Sequence, residues 1–82
     1  MEFEWDPDKA AGNLAKYRVV FAEAGTVFGD PLAIRYFDPD HSDDEDRFLT
    51  FGRSSDGRLL VVSHADRGDR TRIISAPGRD AP

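Results

Sequence analysis

The residues with most chemical promise in this 82-residue sequence crowd towards its C-terminal end. Arg70 and Arg72 lie two apart in a run that reads as a strand, so they share a face. Arg67 sits in the turn before them, and His64 ends the preceding strand. Arginine is always charged and matches phosphate with a planar fork of donors. Histidine exchanges protons near neutral pH. Cutting a phosphodiester beside a 2′-hydroxyl, with no metal, needs a base, an acid for the leaving oxygen, and cations around the phosphate. His64 is the natural proton carrier of such a set and the arginines its clamp. On spacing alone the simpler reading is stronger, in which Arg70 and Arg72 pair with Asp66 and Asp69 and do nothing else.

Other chemistries fall away. There is no cysteine, which excludes disulfides, thiolate nucleophiles and thiolate metal sites. Ser63 and His64 are adjacent, so they point to opposite sides of a strand. No glycine-rich phosphate loop is present. The acidic run Asp38, Asp40, Asp43, Asp44, Glu45 and Asp46 begins like a calcium loop. It fails where position six is Asp43 instead of Gly and position twelve is Leu49 instead of Glu. The run reads as a solvated loop. Two histidines, His41 and His64, are too few for a zinc site without carboxylate help. No metal and no cofactor are expected.

The formal charge of −5 argues at first against a nucleic-acid ligand, whose usual binder is basic. The charge is uneven, however. Residues 1–52 hold 5 basic and 12 acidic side chains, whereas residues 53–82 hold 6 arginines and 4 aspartates. Apolar residues make up 39% and charged residues 33%, so the chain should fold as one small domain with a modest core. No stretch is apolar enough to span a membrane, and the acidic N-terminus is no signal peptide. A small cytoplasmic protein is the default.

The elements that must position these residues follow from local pattern. Glu2–Trp5 alternates as a strand. Asp6 is a good N-cap and Pro7 a good first helical residue, which predicts a helix over 7–18 with Ala10, Leu14 and Tyr17 inward and Lys9, Asn13 and Lys16 outward. A second helix is expected over 19–28, stopped by Gly29-Asp30-Pro31. Strands follow at 32–37, 47–53, 58–64 and 71–76, with a hairpin at Asp56-Gly57 and a turn over 65–69. Residues 1–76 form the domain and 77–82 a flexible tail. The fold class is α+β: a short N-terminal strand, two helices, then an antiparallel four-strand sheet (β-α-α-β-β-β-β) with the helix pair on one face. The central strands carry apolar residues on both faces, so the uncovered face calls for a partner or a second copy.

An ordered set of short motifs resembles the BrnT toxins. It begins with Phe3-Glu4-Trp5-Asp6-Pro7, Lys9-Ala10, Asn13 and Lys16, and continues through Val20-Phe21, Glu23-Ala24, Val27-Phe28 and Asp30-Pro31. His41-Ser42, Glu45 and Arg47 follow, then Gly57 to Val62, Asp66-Arg67 and Arg72 to Ala76. The resemblance covers about residues 2–76. It implies a RelE-like fold and the toxin half of a type II toxin–antitoxin pair, a metal-independent ribonuclease that inhibits translation. It also implies a BrnA-like ribbon-helix-helix antitoxin bound on the uncovered sheet face, contact with operator DNA only through that complex, and no membrane. Under it, His64, Arg67, Arg72 and Glu45 are the catalytic candidates, with Glu45 the alternative base, and Lys16 and Arg70 bind RNA phosphate.

Two departures stand out. The family's usual Lys-His at the end of the first helix is Lys16-Tyr17 here. Family members continue after the last strand with Arg and a basic C-terminal helix, whereas Ser75-Ala76 here runs into Pro77-Gly78. The second departure supports an alternative, a catalytically weakened module that only pairs with its antitoxin, and allows a homodimer.

Overall fold

The capping residues of the first helix act as their types dictate. The Asp6 side chain accepts a hydrogen bond from the Asp8 N–H at 2.8 Å, and helix α1 runs Pro7–Tyr17. It ends at Arg18, whose left-handed backbone (φ 61°) turns its N–H onto the Leu14 carbonyl. The computed structural model, which describes residues 1–78, continues with a short α2 (Phe21–Gly25) and a 3-10 turn (Thr26–Gly29). The single helix expected over 19–28 is thus split. Its last turn tightens against the sheet at Gly52, where a side-chain Cβ would lie 2.9 Å from Val27 Cγ1 and 3.0 Å from Ala33 Cβ.

The strands are β1 (Glu2–Trp5), β2 (Ile34–Phe37), β3 (Arg47–Arg53), β4 (Leu59–Arg67) and β5 (Arg70–Ser75). They form one sheet in the order β1-β5-β4-β3-β2. The expected four-strand antiparallel sheet is therefore extended: β1 adds in parallel to the free edge of β5, with Glu2 opposite Arg70 and Glu4 opposite Arg72. Alternation reveals a strand but not its partner, because pairing is a long-range event. The hairpin after β4 is also tighter than expected. β4 continues through Arg67, leaving only Gly68 (φ 65°) and Asp69 to turn.

Strand parity assigns the side chains to two faces. Val19, Phe21, Ala24 and Val27 pack on Leu60, Val62, Ile73 and Ala76, all buried, to form the core between the helices and the sheet. The helix pair covers this face, as expected. On the other face Ile34 (54% exposed), Tyr36 (52%) and Phe51 (38%) stay open to solvent, Tyr36 meeting Phe51 edge-on at 5.6 Å.

Buried polar groups tie the helices down. Asn13, placed on the outer side of α1 by its polarity, is buried instead, while Leu14 is exposed. The Asn13 amide donates to the Val19 and Ala76 carbonyls (3.0 and 3.1 Å) and its oxygen accepts from the Ala76 N–H (2.9 Å). Glu23 is buried beside the Arg58 guanidinium, which donates from Nε at 2.9 Å, and accepts the Ser54 hydroxyl at 2.6 Å. The Arg58 hydrogen bond holds the Glu23 carboxyl below its ordinary pKa. Two residues of the expected tail belong to the sheet: the Pro77 carbonyl accepts from the Val61 N–H at 3.0 Å, and Gly78 bridges to Leu60. The rest of that tail, Arg79 included, lies outside the described residues.

Candidate functional site

The open face of the sheet ends in a row of charge. In register across it stand Arg47 on β3, Ala65 on β4, Arg72 on β5 and Glu4 on β1. Ala65 is small, so the two arginines flank a shallow gap with Arg67 one pleat further along β4.

The acidic loop folds over this gap. A 3-10 turn at Pro39–His41 opens it. The Asp38 N–H donates to the Arg47 carbonyl at 2.9 Å, the Ser42 hydroxyl donates to the Asp38 carbonyl at 2.5 Å, and the Arg47 N–H donates to that hydroxyl at 3.0 Å. Ser42 thus staples the start of the loop to the start of β3. The result is a cavity of about 490 Å³ lined by Asp40, His41, Asp43, Asp44, Glu45, Arg47, Arg67 and Arg72. The loop expected to be merely solvated is one wall of it.

Glu45 sits at the focus of two arginines. Its Oε2 accepts from Arg67 Nη2 at 2.9 Å, and its Oε1 lies 3.7 Å from Arg72 Nη1. Arg47 adds a third guanidinium to the lining, its Nε buried without a hydrogen-bond partner among the described residues. An anion is therefore already held between two fork-shaped cations, in a cleft that admits a larger one. A phosphate offers the same charge and similar oxygen geometry as the carboxylate now in place.

His64 does not belong to this group. It points to the helix-covered face and is 1% exposed. Its Nε2 and the Thr50 hydroxyl are 2.7 Å apart, and Phe28 and Phe48 pack on the ring at 4.8 and 5.9 Å. Asp66 Oδ1 is 3.4 Å from Nδ1, a charge contact that does not reach hydrogen-bond geometry. Burial pushes the imidazole below its ordinary pKa, with the Asp66 carboxylate opposing. The expectation that His64 shares a surface with Arg67 and Arg72 fails on parity: the helices chose the face of Val62 and His64, leaving Ala65 and Arg67 on the other.

Nor does the cleft gather the remaining candidates. Arg70 reaches sideways to β1, 3.5 Å from Glu2 and 3.8 Å from Glu4. It lines a separate cavity of about 300 Å³ on the His64 side, with Phe28, Arg35 and Asp66 among its walls. Asp66 pairs with Arg35 at 2.6 Å, so the simple pairing of Arg70 and Arg72 with Asp66 and Asp69 is not what forms. Lys16 lies in the last turn of α1, its Nζ 5.1 Å from the Tyr17 ring centre, in the helix layer away from the cleft. Of the expected site, Glu45, Arg67 and Arg72 come together, joined by two residues not singled out for chemistry, Arg47 and His41. For His41 a signal existed in the spacing Asp38-x-x-His41, which in a tight turn brings a carboxylate to an imidazole.

Comparison with known proteins shows the family and the fold. A family profile described as the ribonuclease toxin, BrnT, of type II toxin–antitoxin systems matches residues 5–81. No curated protein matches the chain. The crystal structure of the Brucella abortus ribonuclease toxin BrnT superposes with a TM-score of 0.71, covering 98% of this chain and 97% of that one at 20% sequence identity. At that identity the likeness is one of fold.

Proposed function

The chain belongs to the BrnT family of ribonuclease toxins of type II toxin–antitoxin systems, and on that premise we propose that it cleaves RNA without a metal ion at the Glu45–Arg67–Arg72 cleft. Arg67 and Arg72 bind the scissile phosphate, displacing Glu45 from its ion pairs, and Arg47 adds positive charge as the phosphorane forms. The freed Glu45 carboxylate takes the 2′-hydroxyl proton. The 2′-oxygen attacks phosphorus and the bond to the 5′-oxygen breaks as that oxygen takes up a proton, giving a 2′,3′-cyclic phosphate and a 5′-hydroxyl end. The observation that carries this reading is the convergence of Arg67 and Arg72 on a single carboxylate in an open cleft.

Membership of the family implies an antitoxin partner. We assign it the ribbon-helix-helix type and the open sheet face, where Ile34, Tyr36 and Phe51 are exposed beside the cleft strands. An antitoxin seated there would both bury apolar surface and block the arginines, and operator DNA would be met only through that complex. Action on messenger RNA places the free toxin in the cytoplasm, where cleavage stops translation. A homodimer through the same face is the competing way to cover it.

A second reading is favoured by one observation: Asp40, Asp43, Asp44 and Glu45 line the same cleft as the three arginines and repel a polyanion. In that reading the chain is an antitoxin-binding module with little or no catalysis. The deciding experiment is RNA cleavage in EDTA by the wild type, Arg67→Ala and Arg72→Ala. Cleavage by the wild type, cut about 10²–10³-fold in each variant, is the expected result. Wild-type inactivity towards RNA, with antitoxin binding intact, establishes the second reading. Undiminished cleavage by both variants refutes the site.

A further inference from the structure

Resting on the ribonuclease reading, the geometry assigns His41 as the general acid that protonates the leaving 5′-oxygen, with Asp38 as its positioning residue. The reaction needs a proton donor for that oxygen, and His64 is buried on the opposite face. Among the described residues His41 is the histidine that lines the arginine cleft.

Its orientation is built in. His41 Nδ1 lies 2.9 Å from Asp38 Oδ2. An ionised carboxylate only accepts, so Nδ1 carries the hydrogen and donates it. That leaves Nε2, which hydrogen-bonds no described residue, as the atom for substrate. The Asp38 main chain is anchored, its N–H bonded to the Arg47 carbonyl and its carbonyl accepting the Ser42 hydroxyl, and its side chain is only 14% exposed. The loop closure that shapes the cleft therefore also fixes the carboxylate that holds the imidazole. With Nδ1 held by Asp38, Nε2 is the ring atom left to hand a proton to the leaving oxygen. Glu45 is the complementary group, an anion suited to accept.

The protons balance. Glu45 gains one from the 2′-hydroxyl as the 2′-oxygen–phosphorus bond forms. His41 gives one from Nε2 to the 5′-oxygen as its bond to phosphorus breaks. Exchange with water returns both groups to their starting states.

The test compares two RNA dinucleotides, one with the ordinary 5′-oxygen and one with sulfur in that bridging position. A thiolate leaves without being protonated. His41→Gln should lower kcat on the oxygen substrate about 10²–10⁴-fold with KM little changed, and recover nearly wild-type turnover on the sulfur substrate. Asp38→Asn should show a smaller loss, again only on oxygen. It should also shift the His41 ring nitrogen signals in NMR, which an effect on loop folding alone would not do selectively. Arg72→Ala should lose activity on both. Full activity of His41→Gln on the oxygen substrate, or equal loss on both substrates, overturns the assignment while leaving the ribonuclease reading standing. Wild-type protein inactive on both substrates overturns the two together.

Discussion

The Glu45 carboxylate accepts a hydrogen bond from Arg67 Nη2 at 2.9 Å, joining a loop to a strand 22 residues further along the chain. The same carboxylate stands 3.7 Å from Arg72, so one acidic side chain occupies the point on which two arginines converge. It is both the base the proposed reaction uses and the anion its substrate must displace. The protein is thereby left with its cations neutralised until a better anion arrives.

This double role separates binding from turnover. Glu45→Gln should bind an uncleavable 2′-deoxy RNA analogue more tightly than the wild type, since no carboxylate competes for Arg67 and Arg72. It should also cut ordinary RNA about 10²-fold or more slowly. Fluorescence anisotropy and gel-based cleavage read the two effects separately. Both groups are partly solvent-exposed, so the cost in stability should stay under about 1 kcal/mol.

His64 should prove structural. His64→Gln loses the fit to Thr50, Phe28 and Phe48 and should cost about 1–3 kcal/mol of stability, with kcat for RNA unchanged in the folded fraction. Its pH dependence has a definite sign. The folded pKa is depressed below the ordinary 6.5, so the unfolded chain takes up a proton before the folded one does. The stability tied to neutral His64 is fully present above about pH 6.5 and is lost as pH falls through the depressed folded value. Urea midpoints measured between neutral and mildly acidic pH should fall in the wild type and fall less steeply in His64→Gln.

Asn13 should be worth more than its position on a helix surface would indicate. Asn13→Ala strands the Val19 and Ala76 carbonyls and the Ala76 N–H together, all in buried surroundings. An expected loss of about 2–4 kcal/mol follows from leaving several polar groups unpaired. Urea denaturation of the variant measures it, and a loss below about 0.5 kcal/mol would show that water replaces the side chain.

Tyr36 is the place to separate the antitoxin from the RNA. Tyr36→Arg on the exposed β2 should leave stability within about 0.5 kcal/mol of wild type, since half of the side chain already faces solvent. If the antitoxin covers this face, its affinity should fall at least about 10-fold by calorimetry, as for loss of an aromatic anchor. Cleavage of RNA by the free protein should be unaffected.

Much of this was legible because it is local. Asp6-Pro7-Asp8 starts α1 through contacts two residues long, and Asp56-Gly57 turns a hairpin through local contacts, its N–H groups reaching back to the Ser54 hydroxyl and carbonyl. The α+β class and the helices on one face were readable from period and residue type; Arg67 and Arg72 stood out as phosphate candidates by type and spacing, whereas Glu45 entered only with the family resemblance. Asn13 was readable too, three residues after Ala10 and four before Tyr17, on the stripe that both line. Its polarity misdirected the reading, since polarity reports solvent preference and not the presence of buried carbonyls awaiting a donor. What the tertiary structure alone decided was non-local. Alternation says that Ser63 and His64 face opposite ways, but which way is inward depends on where α1 and α2 dock. That docking buried His64 and set Arg67 and Arg72 on the open side. The partner of β1, and the folding of the acidic loop onto the arginines, rest likewise on contacts between residues far apart in sequence. Their energies arise only once the whole sheet is assembled.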